Sequence, residues 1–315
     1  MIKGKKILVA GGTGLVGANL TKRLKDLGAN VSSSYFSTRP SLFKQIYKKF
    51  DFTKFEDCLK ATKNRDYVII CAAKSFGANL MKENPSIYIL PNLKINANLL
   101  EACSVNKVKK VIFISSSTVY QEANYPIRES QLDLNKPPYE FYFGAGWLNR
   151  YIEQLAKFYS QSYGMKIGIL RPINIYGPFD KFDDEKSNVL PALIKRALKK
   201  EKPFTVWGDG SAVRDFIYVD DLIDDLLDVL DKYCVCEPVN VGSGEKITIK
   251  KAVNVVLDVC GHKVKPIYDE TKPTGIPYRM LNLKKFESLF GKKKRVSFRE
   301  GIAKTVNWYK STNFQ

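Results

Sequence analysis

The chain has 315 residues, 44% hydrophobic and 26% charged, with a mean hydropathy of −0.23. This balance suits a globular chain of one large or two modest domains and excludes a disordered chain, a disulfide mini-scaffold or a spanning helix of about 18 unbroken apolar residues. The net charge of +19 comes from 51 Lys+Arg against 32 Asp+Glu. Only Lys292-Lys293-Lys294-Arg295 forms a compact basic run, so attraction of a polyanionic small molecule is expected rather than nucleic-acid or membrane binding.

Met1 to Lys6 shows no signal-peptide pattern. KILVA at 6–10 reads as a strand, GGTGLVG as a turn, and Leu15, Val16, Leu20, Leu24 and Leu27 as a helix ending at Gly28. A strand at Val31–Phe36, an amphipathic segment at 54–63, the strand YVIICAA at 67–73, a helix at Asn92–Val105 and the strand VIFISSS at 111–117 follow. A long helix at 142–162 and the apolar strand KIGILRP at 166–172 complete the run. Alternating strands and helices predict an α/β, doubly wound Rossmann-type parallel sheet. Beyond Tyr176-Gly177-Pro178 the elements shorten and Gly, Pro and Asp accumulate. The reading is therefore a dinucleotide-binding domain over 1–177 and a smaller substrate-binding lobe over 178–315, with segments near 216–219 and 239–242 returning to the first. The six scattered cysteines lack CxxC spacing and read as reduced thiols rather than metal ligands, in a cytoplasmic setting. Cys234 and Cys236 are expected to point the same way on a strand.

Gly11, Gly14 and Gly17 stand between a strand and a helix, where glycines serve a tight turn, a close approach of pyrophosphate to the backbone, and close helix packing. Asp51-Phe52 after the third strand is suited to edging an adenine. The end of the second strand carries Tyr35 instead of an acid, with Arg39 nearby, so NADP is favoured over NAD. Asp220-Asp221 reads as a helix N-cap and first turn, and the only histidine, His262, as a surface turn residue.

With GGTGLVG, CAAK at 71–74, SSSTVY at 115–120, RPINIYGP at 171–178, WGDGSAVRDFIYVDD at 207–221 and NVGSG at 240–244, the chain resembles the extended short-chain dehydrogenase/reductases, the nucleotide-sugar epimerases, dehydratases and reductases. AAK, the stretch at 176–196 and KPTGIPYR at 272–279 look most like the GDP-L-fucose synthases. The resemblance implies a homodimer working in polysaccharide biosynthesis, with hydride transfer at sugar C4. It also implies cofactor contacts from Thr13, Leu15, Val16, Ala72, Ala73, Lys74, Ser115 and Pro172, with Asn92 bracing the Ser116 strand. On the substrate side it implies Arg214 at a nucleotide diphosphate, Asn174 at the sugar or first phosphate, Val189 and Lys195 on the helix covering the nucleotide, and Trp207 beside the base. Lys272 and Arg279 are further phosphate contacts.

Family members use a tyrosine and a lysine four residues on, with a Ser/Thr sharing the sugar's hydrogen bond. Ser116 takes the Ser/Thr place and Thr118 that of a second acid/base group, but the tyrosine and lysine positions hold Ala145 and Asn149, and the position of the fucose synthase histidine holds Asn188. Tyr142 lies about 4.5 Å along the helix axis from the tyrosine position, and Arg150 is rotated about 100° from the lysine position. Three readings of Ala145 stand: a deliberate replacement that traps a bound sugar, an enzyme using Thr118, Tyr142 or water, and a pseudoenzyme that binds a nucleotide sugar. A basic RNA-associated protein of the same fold is the remaining alternative.

Overall fold

The computed structural model describes residues 2–41, 43–74, 86–183, 187–272 and 275–313. The first apolar run forms β1 (Lys6–Ala10), and the glycine turn opens α1 (Leu15–Asp26). Next come β2 (Asn30–Tyr35), β3 (Tyr47–Lys49), α2 (Phe55–Thr62), β4 (Tyr67–Ile70), α3 (Ser86–Val105), β5 (Lys110–Ile114), α4 (Phe143–Tyr163) and β6 (Ile167–Pro172). The second half holds β7 (Asn174–Tyr176), α5 (Val189–Leu198), β8 (Thr205–Trp207), β9 (Val213–Arg214), β10 (Phe216–Tyr218) and α6 (Val219–Lys232). It ends with β11 (Pro238–Val241), β12 (Ile247–Thr248), α7 (Ile249–Val259), β13 (Ile267–Asp269), β14 (Tyr278–Arg279), α8 (Lys284–Phe290) and α9 (Phe298–Asn313).

Seven parallel strands form the main sheet in the order β11-β6-β5-β4-β1-β2-β3. Alternate side chains of each strand enter opposite layers. Ile7, Val9, Ile69, Ile112 and Leu170 pack with Leu20 and Leu24 of α1 and Leu222 and Leu226 of α6. Leu8, Val68, Ile70, Val111, Phe113 and Ile167 pack with Cys58 of α2, Leu99 of α3 and Ile152 of α4. The strand order reverses between β1 and β4, which opens a crevice at their carboxyl ends. The strands read at 67–73 and 111–117 stop at Ile70 and Ile114, so Cys71–Lys74 and Ser115–Thr118 are free to line that crevice.

Past residue 178 the chain returns to the large sheet through β11, whereas β10 pairs with β7 in a separate small sheet. Two further small sheets, β13-β8 and β12-β9-β14, are formed by the second half of the chain. Two sequence expectations are corrected here. Cys234 and Cys236 lie in the loop between α6 and β11, not on a strand. His262 is buried at 5% exposure, with Nε2 2.9 Å from the Glu201 carbonyl and its ring against Phe204, because the turn after α7 folds inward over β8. In the basic run, Lys293 pairs with Asp225 at 3.2 Å and with Asp228, and Arg295 pairs with Asp225 at 2.8 Å. That part of the run clasps the acidic face of α6.

Candidate functional site

The glycine turn fits a pyrophosphate. Gly11 has φ +86 and an added Cβ would lie 2.5 Å from Ala72 Cα, while one at Gly17 would lie 2.1 Å from the Gly11 carbonyl oxygen. At Gly14 the nearest atom is 3.9 Å away, so this face of the turn is open. Gly14 is also the N-cap of α1 and no side chain caps the helix, which leaves the first-turn amides around Leu15, Val16 and Gly17 facing a ligand. The back of the turn is held by the neighbouring strands. The Gly11 and Gly12 amides donate to Ser34 Oγ and Ser34 O at 2.8 Å each, and the Tyr47 hydroxyl donates to Gly12 O at 2.9 Å. A Cβ at Gly12 would lie 1.7 Å from Ser33 Oγ.

Around this cradle, Thr13 and Tyr35 are half-buried and Arg39 is exposed just beyond β2. Burial opposes ionisation of Asp51, but hydrogen bonds from the Thr53 hydroxyl and amide, aided by Lys54 and Lys74, hold its carboxyl below the usual range. Phe52 is 6% exposed, its side chain packed in the core layer of α2 and α3. Ala72 is half-buried, and Ala73 and Lys74 are exposed at the end of β4. Asn92 does not brace the Ser116 strand. Its side chain accepts from the Lys74 amide and donates to the Lys74 carbonyl, each at 2.8 Å, because α3 starts beside β4 rather than β5.

At the end of β5 the four hydroxyl residues diverge. Ser115 is buried and donates to Glu153 Oε1 at 2.6 Å. Ser116 Oγ accepts the Thr118 amide at 3.1 Å. Ser117 Oγ accepts Arg279 Nε at 3.1 Å and Nη2 at 2.6 Å. Asn149 Nδ2 donates to the Ala145 carbonyl at 3.0 Å and reaches Thr118 Oγ1 at 3.5 Å. Helix α4 is pressed on this loop, since a Cβ at Gly146 would lie 2.5 Å from the Thr118 carbonyl and 2.4 Å from Pro138. Arg150 locks the contact from within, donating to the Val119 and Lys136 carbonyls at 2.7 Å each. Ala145 is only 8% exposed and Pro172 closes β6 in the buried layer.

Behind the loop runs a buried chain of polar groups. Arg171 donates from Nε and Nη2 to Glu153 at 2.9 and 2.6 Å and from Nη1 to the Tyr120 hydroxyl at 2.8 Å, and Tyr120 donates to Asn240 Oδ1 at 2.7 Å. Burial pushes the Tyr120 phenol up to about 12, with Arg171 opposing.

The substrate side is built by two short strands. β9 and β14 run parallel with Arg214 opposite Arg279, so two guanidiniums are placed side by side. Burial draws Arg214 down to about 10 and Arg279 below its ordinary range. Among the described residues neither has a carboxylate partner, and Arg214 Nη1 donates only to its neighbour's carbonyl, Val213 O, at 2.8 Å. Beside them opens a cleft of about 380 Å³ lined by Thr118, Tyr139, Tyr142, Tyr278, Arg279 and Leu281 among others. Asp215 is not Arg214's partner, because its buried carboxylate accepts from Ser243 and Gly244.

The structure thus brings Ser116, Thr118, Ala145, Asn149, Tyr142, Arg214 and Arg279 to one region. Asn174 is held nearby, donating to the Asp215 carbonyl at 2.7 Å. Asn188, the N-cap of α5, is exposed together with Val189. Lys195 lies farther along that helix, Trp207 is 51% exposed at the end of β8, and Lys272 is exposed. Parts of the 176–196 and 272–279 stretches, residues 184–186 and 273–274, lie outside the described residues. Sequence reasoning missed Ser117 and Tyr139. Ser117 sits in the triple-serine run, whereas nothing local marks Tyr139.

Comparison with known proteins gives a consistent result. The model of the NAD dependent epimerase/dehydratase family matches residues 7–242. GDP-L-fucose synthase 1 of Arabidopsis thaliana is 34% identical over 316 residues, covering 98% of this chain and 94% of its own. GDP-L-fucose synthase of Sinorhizobium fredii is 32% identical, covering 99% and 97%. Among solved structures, UDP-glucose 4-epimerase of Thermotoga maritima with UDP-glucose superposes with a TM-score of 0.85 at 24% identity, covering 98% of this chain and 99% of that one. A GDP-L-fucose synthetase from Naegleria fowleri bound to NADP also gives 0.85 at 24% identity, covering 100% and 97%.

Proposed function

The chain belongs to the NAD dependent epimerase/dehydratase family, and from that premise we propose that it is an NADP-preferring oxidoreductase or epimerase acting at C4 of a GDP-linked sugar. The observation that carries the reading is the pair Arg214 and Arg279. Two adjacent half-buried cations with no carboxylate partner among the described residues are costly unless an anion joins them, and a diphosphate supplies charge and acceptors to both. The relatives named GDP-L-fucose synthase support GDP as the nucleotide.

When bound, the nicotinamide supplies or takes up a hydride. The chain's own residues do the rest. The turn at Gly11–Gly17 and the α1 amides bind pyrophosphate, with Thr13, Leu15 and Val16 in contact, and Tyr35 and Arg39 border the adenine ribose. Arg39, unopposed by an acid at the end of β2, favours a 2′-phosphate. Ser116 and Thr118 hydrogen-bond the sugar, Asn149 orients Thr118, and Arg214, Arg279 and Asn174 hold the diphosphate. Val189, Lys195, Trp207 and Lys272 border the nucleotide, and Asn188 bonds the sugar without shuttling protons.

The working form we propose is a cytoplasmic homodimer. α4 exposes Phe143, Trp147, Tyr151 and Phe158 at 56, 39, 55 and 50%, spaced on one helical face, and α3 adds Leu90 and Val105. A second reading, a non-catalytic binder of the same ligands, is favoured by Ala145 and Asn149 at positions where family members carry tyrosine and lysine.

The test is titration of the chain with NADPH, NADH and GDP-, UDP- and CDP-sugars, followed at 340 nm. Consumption of NADPH with a GDP-4-keto sugar is expected. Binding without turnover selects the second reading, and failure to bind any nucleotide sugar overturns both.

A further inference from the structure

We infer that Tyr142 is the residue that exchanges a proton with the sugar oxygen. This rests on the oxidoreductase reading above and names the acid/base group of that site.

Three observations converge on it. Tyr142 lines the 380 Å³ cleft together with Thr118, whereas Ala145 is not part of the cleft wall and is 92% covered by the surrounding fold. The phenol position has in effect moved to the residue that caps α4, immediately before its first turn. Second, the Arg279 guanidinium lies 4.7 Å from the centre of the Tyr142 ring while its Nε and Nη2 are fixed to Ser117 Oγ, so the ring is held against a guanidinium whose direction is set. Tyr139 packs on the ring at 6.4 Å. Third, Tyr142 acts electrostatically on both Arg214 and Arg279, opposing the burial that disfavours their charge, so the phenol lies near both guanidiniums.

The other groups are less suited. Tyr120 is committed to Arg171 and Asn240, His262 is buried beneath β8, and Ser116 caps the Thr118 turn. Thr118 reaches the cleft, but an alcohol gives up its proton far less readily than a phenol.

The step balances as follows. As a sugar carbonyl carbon gains a hydride, the C=O π pair moves onto its oxygen. The Tyr142 O–H bond breaks, its proton forms the new sugar hydroxyl, and the pair left on the phenol oxygen faces Arg279 and Arg214 until water returns a proton. Oxidation of an alcohol runs the same exchange in reverse.

Tyr142→Phe keeps the ring on Arg279 and removes only the hydroxyl. With NADPH and a GDP-4-keto sugar, kcat is expected to fall by roughly 100-fold or more, the range for loss of a positioned acid/base, while KM and the GDP-sugar dissociation constant stay within about threefold. Independently of activity, nitration of Tyr142 by tetranitromethane, mapped by peptide mass spectrometry, is expected to be suppressed by the GDP-sugar. Ala145→Tyr is expected not to raise turnover, because the position is already covered. The inference is overturned by an unchanged kcat in Tyr142→Phe, by a KM effect alone, by nitration indifferent to the GDP-sugar, or by a tenfold gain in Ala145→Tyr. It is also overturned by a chain that binds both ligands without turnover. A chain that binds neither removes the oxidoreductase reading itself, and this inference with it.

Discussion

Two sets of arginines face opposite fates on either side of the loop at 115–120. Arg171 is 3% exposed and meets Glu153 through two hydrogen bonds and Tyr120 through a third. Arg214 and Arg279 are half-buried next to each other on β9 and β14 and, among the described residues, hydrogen-bond to carbonyl and hydroxyl groups only. A buried guanidinium whose charge is cancelled within the fold ties elements together, here β5, β6, α4 and the edge strand β11. One whose charge is left over marks a place where the fold is completed by a ligand.

The contrast can be broken most forcefully at the paired arginine. Arg171→Met or Glu153→Gln strands a partner in the core and is expected to cost about 3–5 kcal/mol in urea unfolding. A loss below 1 kcal/mol would show that the two regions do not differ. At the unpaired site the expectation is inverted. Arg214→Ala should weaken GDP binding roughly 10- to 100-fold, the worth of a charged hydrogen bond, measured by calorimetry without ligand-free destabilisation. A drop in thermal midpoint without a change in affinity would reclassify Arg214 as structural.

Asp180 is the acidic counterpart of that unpaired state. Burial raises its carboxyl to about 6, with Lys181 opposing, and Oδ2 is buried without a hydrogen-bond partner among the described residues. The folded state therefore holds this proton more tightly than the unfolded state, whose carboxyl ionises near 3.8. The associated stability is intact below pH 4 and is lost as pH rises from about 4 to about 6. Asp180→Asn should remove that slope and be more stable at pH 7.5 by about 3 kcal/mol, as read by denaturation at a series of pH values. An unaltered slope would show that another group carries it. The smallest effect is expected at the exposed Arg39, where Arg39→Ala should cost NADPH about 1 kcal/mol of binding and leave NADH unaffected. Equal losses for both would assign Arg39 no part in the choice.

The sequence carried the alternation of strands and helices because period-2 and period-3.6 apolar patterns are imposed by the two-layer core, and it carried the glycine turn because backbone contacts there admit no Cβ. It was silent where contact depends on chain segments far apart. Phe52 and His262 are buried by α3 and by the turn over β8, and neither burial leaves a local pattern. The Arg214–Arg279 pairing arises from two strands of two residues each, 65 positions apart, too short to show any period. The pairing of the basic run at 292–295 leaves no local sign either, because its partners, Asp225 and Asp228, lie on another helix.

The wall that Ser33, Ser34 and Tyr47 raise behind the glycine turn makes two tasks inseparable. The strands that end at the proposed adenine-ribose site are the same ones that set the curvature of the glycine turn, through a Gly12–Ser33 contact with no room for a single extra carbon. Redesigning coenzyme choice in this scaffold is therefore safest at the tips, Tyr35 and Arg39, since a bulkier residue one or two places upstream would deform the grip on both coenzymes alike.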